Sequence, residues 1–175
     1  LSDDLQLNAN LVKVYFNKDL YDIEKIESEG SVILKSSRGL VASGEKINFD
    51  IKNENLTILG KNSLLINNEI EMMSDNLIKV NNSNGKFMIN GPNSRLKSTS
   101  VNIVGSLIEG KFFQINNINE VENLYVADDK KINIKTKELD MYARKANYDK
   151  KNNIIELFEN VSIHRDNEMI SGDYA

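Results

Sequence analysis

The chain has 175 residues, 40% of them hydrophobic, and a formal net charge of −4. This length and apolar content suffice for a folded core and exclude a disordered tail, and the interleaved acidic and basic residues leave no basic stripe for a nucleic acid partner. Because the sequence has no Cys and one His, it excludes disulfides, Cys-based zinc sites and His-rich metal sites, and we expect no metal and no cofactor.

Short stretches in which apolar and polar residues alternate follow one another along the chain, separated by Gly, Asn, Asp and Ser. Alternation with a period of two is typical of β-strands with one buried and one exposed face. Only residues 5–17 and 117–122 are compatible with a helix, and neither has a clean helical stripe. The pattern predicts an all-β fold. The predicted strands are residues 12–16, 31–35, 46–51, 56–59, 63–67, 77–80, 86–89, 100–104, 111–115, 123–127, 131–135, 138–142, 145–148, 154–158 and 161–164.

One hairpin pattern occurs twice. The sequence KINFDIKN at 46–53, followed by LTIL, is echoed by KANYDKKN at 145–152, followed by IELF. In both copies an alternating strand meets a polar turn and returns as a second strand, which predicts repeated antiparallel hairpins. We expect a first repeat at 1–80, an Asn/Ser/Gly-rich loop at 81–97 and a second repeat at 98–175. Because stacked hairpins bury each other's apolar faces, these parts are expected to form one continuous β domain.

The two ends of the chain suggest a fragment of a longer protein. The start has no basic segment followed by an apolar one, and no run approaches the roughly 20 apolar residues of a membrane-spanning helix. The sequence MISGDYA at 169–175 begins a new alternating strand and stops. We therefore expect the second repeat to be truncated at its C-terminus and the native protein to continue at both ends.

Alternation places many apolar side chains on one side of the predicted sheet, Leu64 and Ile66 among them. As a groove, this face would hold an apolar ligand, because each buried CH₂ contributes about 0.8 kcal/mol. As a closed core, the same side chains would pack on one another. The candidate groove residues are Val32, Leu34, Ile47, Phe49, Leu56, Ile58, Ile132, Ile134, Leu139, Met141, Tyr148, Ile155, Leu157, Val161 and Ile163.

Candidates for catalysis are weak. His164 would need an orienting carboxylate and a nucleophile, and Asp166 follows it on the same strand face without an obvious Ser partner. Asp128 and Asp129 precede two lysines and are typical of a charged turn, not of a calcium loop. We predict no catalytic residue, no metal ligand and no enzymatic activity.

The predicted last strand, residues 171–175, is an edge open to another chain. It contains one charged residue, Asp173, and no proline, so little in it opposes strand addition. Lys86 and Arg95, near the predicted loop, are candidates for contact with phosphates, although isolated basic side chains are usually only solvated.

Residues 141–163 and 170–175 resemble the repeat of the LptA/OstA family and of its relative LptC. In that family an alanine and a Tyr-Asp pair end one strand, a polar turn follows, and an apolar strand runs into Gly-Asn-Val before a final strand that contains Gly-Asp. This chain has ENV at 159–161 in place of Gly-Asn-Val, and GKNS at 60–63 in the first copy. Residues 29–33 and 42–50 look like the same elements, so the resemblance covers most of the chain, and it is strongest at 140–175.

The resemblance implies a non-enzymatic periplasmic protein of lipopolysaccharide transport to the outer membrane. It implies a curled open antiparallel sheet, the β-taco or β-jellyroll, that holds the acyl chains of lipid A in its groove. The implied partners are other proteins of the transport bridge, bound by edge-strand pairing, and further copies of the chain stacked head to tail. The alternative is a structural β-solenoid or adhesin-like repeat with a closed core. A cleft along the apolar face distinguishes the two.

Overall fold

The computed structural model describes residues 5–37, 39–115 and 118–175. The regular secondary structure of these ranges consists of β-strands, which pair antiparallel in one sheet. The predicted all-β fold is confirmed. The 14 strands are β1 (Leu5–Asn8), β2 (Leu11–Phe16), β3 (Ile23–Ser36), β4 (Leu40–Asp50), β5 (Asn55–Leu59), β6 (Ser63–Asn67), β7 (Ile70–Ser74), β8 (Leu77–Asn81), β9 (Lys86–Lys97), β10 (Asn102–Ile115), β11 (Ile118–Lys135), β12 (Asp140–Asp149), β13 (Ile154–Arg165) and β14 (Glu168–Tyr174).

The two stretches that were compatible with a helix are strands where the structure describes them. β1 and β2 occupy most of 5–17, and β11 begins at Ile118; residue 117 lies outside the described residues. Both β1 and β2 pair with β3, which gives their backbone groups partners. A short helix without an apolar stripe has no comparable stabilisation in water, so the sheet prevails.

The segment 81–97 is not a loop, because it contains the strand β9. Phe87, Ile89 and Leu96 of this strand are buried, and its polar residues mostly lie on the outer face. The alternation of buried and exposed residues breaks between Gly91 and Ser94, so the second half of this strand has no continuous period-two pattern in the sequence. The sheet continues through this segment, and the division of the chain into two repeats stays a prediction.

The long strands bend near their middle. Between β3 and β4 the register shifts between Glu29 and Val32, and between β13 and β14 it shifts between Phe158 and Val161. Similar shifts occur where β10, β11 and β12 meet their neighbours. An irregularity of this kind bends a strand and increases its twist. These bends lie on neighbouring strands and together form a crease that runs across the sheet.

The crease divides the sheet into two walls. Residues 46–50 of β4 pair with β5, whereas residues 40–43 pair with β6; β9 likewise pairs with β8 before its bend and with β7 after it. Wall A comprises residues 11–16, 23–29, 45–50, 55–59, 77–81, 86–90, 107–112, 120–127, 145–149 and 154–158. Wall B comprises residues 5–8, 32–36, 40–44, 63–67, 70–74, 94–97, 102–104, 132–135, 140–143, 161–165 and 168–172.

Two copies of the sequence Gly-x-Asn-Ser, at 60–63 and 91–94, form part of the crease. Their glycines have φ of 110° and 123°, and their asparagines 55° and 59°. In each copy the buried serine donates its hydroxyl hydrogen to the glycine carbonyl three residues earlier, at 2.8 Å from Ser63 and 2.7 Å from Ser94. Because an unpaired buried carbonyl costs about 1–3 kcal/mol, these serines stabilise a sharp bend inside the protein.

Asp75, between β7 and β8, joins these two copies. Its carboxylate accepts hydrogen bonds from the backbone N–H of Asn62, at 3.0 Å, and from the side-chain amide of Asn93, at 2.5 Å. These hydrogen bonds favour the charged carboxylate and hold the pKa of Asp75 below its ordinary value. The hydrogen bond from Asn62 has the larger effect. The crease therefore depends on one half-buried carboxylate as well as on buried serines.

The two hairpins that echo each other in the sequence have the same turn. β4 pairs with β5 around Asp50, and β12 pairs with β13 around Asp149. In both turns the aspartate accepts hydrogen bonds from the backbone and side-chain amides of the asparagine three residues later, Asn53 or Asn152. The repeated sequence pattern is thus a repeated turn structure.

The core lies between the walls and is one apolar cluster. β5 shows how alternation builds it, because Leu56 and Ile58 are buried and their neighbours are half-exposed. The placement of Leu64 and Ile66 on the inner side is wrong: the inner residues of β6 are Ser63 and Leu65. The hydroxyl of Ser63 is needed inside the crease, and this shifts the alternation of β6 by one residue.

Candidate functional site

An open cleft of about 650 Å³ lies between the two walls, on the side away from the crease. Its interior is apolar and its rim is polar, which is the usual composition of a site for an apolar ligand. Wall A contributes Phe112, Val121, Leu124, Tyr148 and Ile155. Wall B and its adjoining turns contribute Ile70, Leu96, Val101, Ile103, Ile134, Leu139 and Met141. The rim consists of Glu69, Ser98, Thr99, Ser100, Glu120, Thr136, Lys137, Glu138 and Lys150.

The fifteen candidate groove residues all belong to the apolar cluster between the walls. Five of them line the cleft: Ile134, Leu139, Met141, Tyr148 and Ile155. The other ten are Val32, Leu34, Ile47, Phe49, Leu56, Ile58, Ile132, Leu157, Val161 and Ile163, which pack in the interior without bordering the cleft. Of these, Phe49 and Ile163 are only partly buried, and the rest are buried. The structure therefore separates residues that fill the interior from residues that face open space.

Seven apolar residues of the cleft were not predicted from the sequence: Ile70, Leu96, Val101, Ile103, Phe112, Val121 and Leu124. Ile70 lies in β7 and Leu96 in the second half of β9, and neither segment was predicted as a strand. Phe112 and Val121 face each other beside a register shift, which breaks the period-two pattern on which alternation depends. The signal that could have found Leu124 is the alternation within residues 123–127, which was recognised as a strand but not assigned to the groove.

A second cavity of about 50 Å³ lies farther along the trough, among residues of β6, β7 and β8. Its lining includes Leu65, Met72 and Val80. This volume is close to that of one or two water molecules, at roughly 30 Å³ each in the liquid. Over these strands the space is too small for an acyl chain.

The rim of the cleft carries charges of both signs. Lys150 forms an ion pair with Glu120, and Arg165 approaches Glu138 at 3.9 Å. These side chains are largely exposed, so the pairs contribute little to stability. The rim can stay hydrated while an apolar ligand is buried beneath it.

His164 lies on the outer face of wall B, away from the cleft. Its Nε2 is 2.6 Å from the hydroxyl oxygen of Ser162, and its ring meets Tyr142 edge-on. Asp140 is the cross-strand neighbour of His164, but its carboxylate accepts hydrogen bonds from Asn133 and Tyr142. Ser162 is therefore a Ser partner that was not recognised from the sequence. In the described part of the chain, no carboxylate is hydrogen-bonded to the imidazole of His164.

The other polar candidates do not converge on a site. Asp128 accepts hydrogen bonds from the backbone N–H groups of Lys130 and Lys131, as a charged turn does. Lys86 lies on the outer face of wall A and Arg95 on wall B, so they do not form one phosphate site.

Within the described ranges, no group of three or more acidic, His or Cys side chains is arranged to hold a metal ion. Those ranges also contain no helix with the length and apolar character needed to cross a bilayer.

Both ends of the sheet expose apolar side chains. Among the described residues, β2 at one end pairs with β3 alone, and Leu11, Val12, Val14, Tyr15 and Phe16 are each 39–46% exposed. At the other end, β14 pairs within the same ranges with β13 alone, and its apolar residues, Ile170 among them, are more than 60% exposed. Edge strands of this composition are suited to pairing with another chain.

Comparison with known proteins identifies the family. Residues 85–174, slightly more than half of the chain, match the model of the family described as LptA/(LptD N-terminal domain) LPS transport protein. No curated protein matches the chain. Among solved structures, the chain is similar to LptH, the LptA-homologous periplasmic component of the lipopolysaccharide transport device of Pseudomonas aeruginosa. The match has 12% sequence identity and a TM-score of 0.31, and it covers 88% of this chain and 81% of LptH. So distant a likeness adds nothing to the family match. This chain belongs to the LptA/LptD N-terminal domain family of lipopolysaccharide transport proteins.

Proposed function

We propose that this protein is a non-enzymatic carrier that holds the acyl chains of lipopolysaccharide in the cleft between its walls. The family gives it a role in lipopolysaccharide transport. The observation that carries the finer proposal is the open apolar cleft of about 650 Å³. That volume lies in the range of about 300–1,000 Å³ that is usual for small-molecule sites.

The affinity of such a cleft would come from burial of hydrocarbon. Each CH₂ removed from water contributes about 0.8 kcal/mol without any directional contact. An acyl chain could therefore slide along the cleft, because no hydrogen bond fixes its position. A saccharide headgroup would remain among the polar rim residues, such as Ser98, Lys137 and Lys150.

The alternative, a structural solenoid or adhesin-like repeat, requires an interior closed by side chains at the density of a protein core. The open cleft favours the carrier. The crease favours it as well, because it turns two apolar faces of one sheet toward each other and leaves their far ends apart.

The exposed edges support a second element of the proposal. β2 and β14 lie at opposite ends of the sheet and both lack a strand on their outer side in the described structure. We propose that transport-bridge proteins, or further copies of this chain, pair with these strands in the periplasm. Pairing of this kind would align the clefts of successive domains.

Two neighbouring isoleucines provide the test of acyl-chain binding. Ile155 is partly buried and lines the cleft, whereas Ile154 points outward and is 52% exposed. In a titration with a fluorescent fatty acid, Ile155→Asp should weaken binding at least tenfold, because a charge beside the ligand must be desolvated. Ile154→Asp adds the same charge on the opposite face and should bind as the unsubstituted protein does.

Circular dichroism establishes that both variants are folded before they are compared. Equal binding by the two folded variants would contradict the proposed site. If the unsubstituted protein binds neither the fatty acid nor a lipid A analogue, the carrier function itself is wrong.

A further inference from the structure

The trough between the walls is divided in two. The cleft of about 650 Å³ lies mainly over β9 to β13, and the cavity of about 50 Å³ lies over β6 to β8. Two residues border both spaces: Phe112 from wall A and Ile70 from wall B. Phe112 is 6% exposed and Ile70 is 7% exposed. These two side chains therefore stand where one space ends and the other begins.

Phe112 is held firmly in this position. Its ring stacks on that of Phe87, with 4.3 Å between the centroids and 25° between the planes. Gly110 makes room for the pair, because a Cβ at this position would lie 2.8 Å from the Phe87 ring. The backbone N–H of Phe112 donates a hydrogen bond to the carbonyl of Gly85, at 3.0 Å. A ring fixed by stacking, by a close glycine and by a backbone hydrogen bond does not move aside easily.

We propose that Phe112 is a specificity-determining residue that ends the groove and so limits the length of acyl chain that it accepts. This inference rests on the proposed function, because it concerns the same cleft. A chain that enters the cleft gains affinity with each CH₂ until its end reaches Phe112. Further CH₂ groups then remain in water and add nothing.

The dependence of affinity on chain length tests the inference. Unlabelled saturated fatty acids from decanoate to stearate are used to displace a fluorescent fatty acid from the protein. For the unsubstituted protein, affinity should rise about fourfold for each CH₂ added and then reach a plateau. Phe112→Ala joins the two spaces, and the plateau should move to a fatty acid longer by at least one member of the series. Phe112→Leu should move it in the same direction by less, and Ile70→Ala opens the division from wall B with the same effect.

Phe158→Leu is the matched control, because Phe158 lies outside the trough, against Tyr174, and borders neither space. It should leave the plateau where it is. A plateau that does not move in the folded Phe112→Leu and Ile70→Ala variants would overturn the inference, as would an equal shift in Phe158→Leu. These results differ from failure of the proposed function, in which the unsubstituted protein binds none of the acids.

Discussion

At the scale of single residues, the crease depends on short polar side chains in unusual positions. The asparagines of the two Gly-x-Asn-Ser copies have positive φ, a conformation that Asn tolerates better than most residues. Glu159 and Asn160 bend β13 in the same way, with φ of 64° and 57°. Glu159 also forms ion pairs with Arg144 and Lys145, and the hydrogen bond from Lys145 is the main cause of its lowered pKa. The sequence ENV at 159–161 thus forms a bend in β13 without a glycine.

Asp75 makes the crease sensitive to acid. Because its pKa is lower in the folded protein than the ordinary value of about 3.9, its charged form contributes stability that is fully present above that value. This contribution is lost as the pH falls through the folded pKa. We expect Asp75→Asn to lower the free energy of unfolding at neutral pH, and the difference from the unsubstituted protein to shrink below about pH 4.

Urea unfolding at a series of pH values measures this difference. Asp173→Asn, which removes the same charge from the exposed strand β14, is the control for net charge. A difference for Asp75→Asn that is constant across the acid range would show that its carboxylate does not act through ionisation.

Single-residue alternation predicted part of the interior but not the boundary of the cleft. Ten of the candidate positions, such as Ile58 and Leu157, lie on the inner side but do not line the cleft. Alternation reports the face on which a side chain lies, but not the distance to the opposite wall. That distance depends on the crease, whose Gly-x-Asn-Ser sequences appeared only as turn signals. Leu64 and Ile66 were misplaced for the same reason, because the crease shifts the alternation.

At the scale of elements, the edge strands are the parts of the sheet with the least protection. β2 has the sequence LVKVYF, in which Lys13 is the one charged residue, and β14 exposes Met169, Ile170 and Tyr174. A long apolar edge would normally favour uncontrolled association. In this protein the two edges belong to opposite ends of one sheet, so their pairing would extend the sheet in one direction.

Lysines on the edges should prevent this association. In sedimentation velocity over a range of protein concentrations, we expect the unsubstituted protein to form multimers. The double variant Val12→Lys and Ile170→Lys should stay monomeric, because charges on facing edges repel and must be desolvated. Ile33→Lys places the same charge on β3, which has neighbours on both sides, and should associate as the unsubstituted protein does. A protein that is monomeric at every concentration would contradict edge pairing by its own copies.

The sequence predicted elements well where strands are short and unbent, as in β5, β6 and β8. It missed β1, β7, the first halves of β3 and β4 and the second half of β9, and it split each of the long strands β10 to β13 into two pieces. The split points fall at the bends, such as that after Gly105 in β10. Two short strands and one bent strand have almost the same pattern, and the pairing partners that distinguish them lie far away in sequence.

At the scale of the whole molecule, one sheet and one apolar cluster connect both halves of the chain. The strands of the first half and those of the second meet at β9 without a separate core on either side. We therefore expect the protein to unfold in one transition, although the sequence suggests two repeats. Thermal unfolding followed by far-ultraviolet circular dichroism and by tyrosine fluorescence should give the same midpoint. Two separated midpoints would favour repeats that fold independently.

The crease also determines how the protein can change shape. Hydrogen bonds between neighbouring strands run along the trough, whereas each bent strand crosses from one wall to the other. The angle between the walls can therefore widen without loss of the hydrogen bonds between neighbouring strands. Binding of a thicker ligand would therefore cost free energy in the backbone torsions of the crease and in the apolar contacts that separate, whereas the strand pairing within each wall would persist.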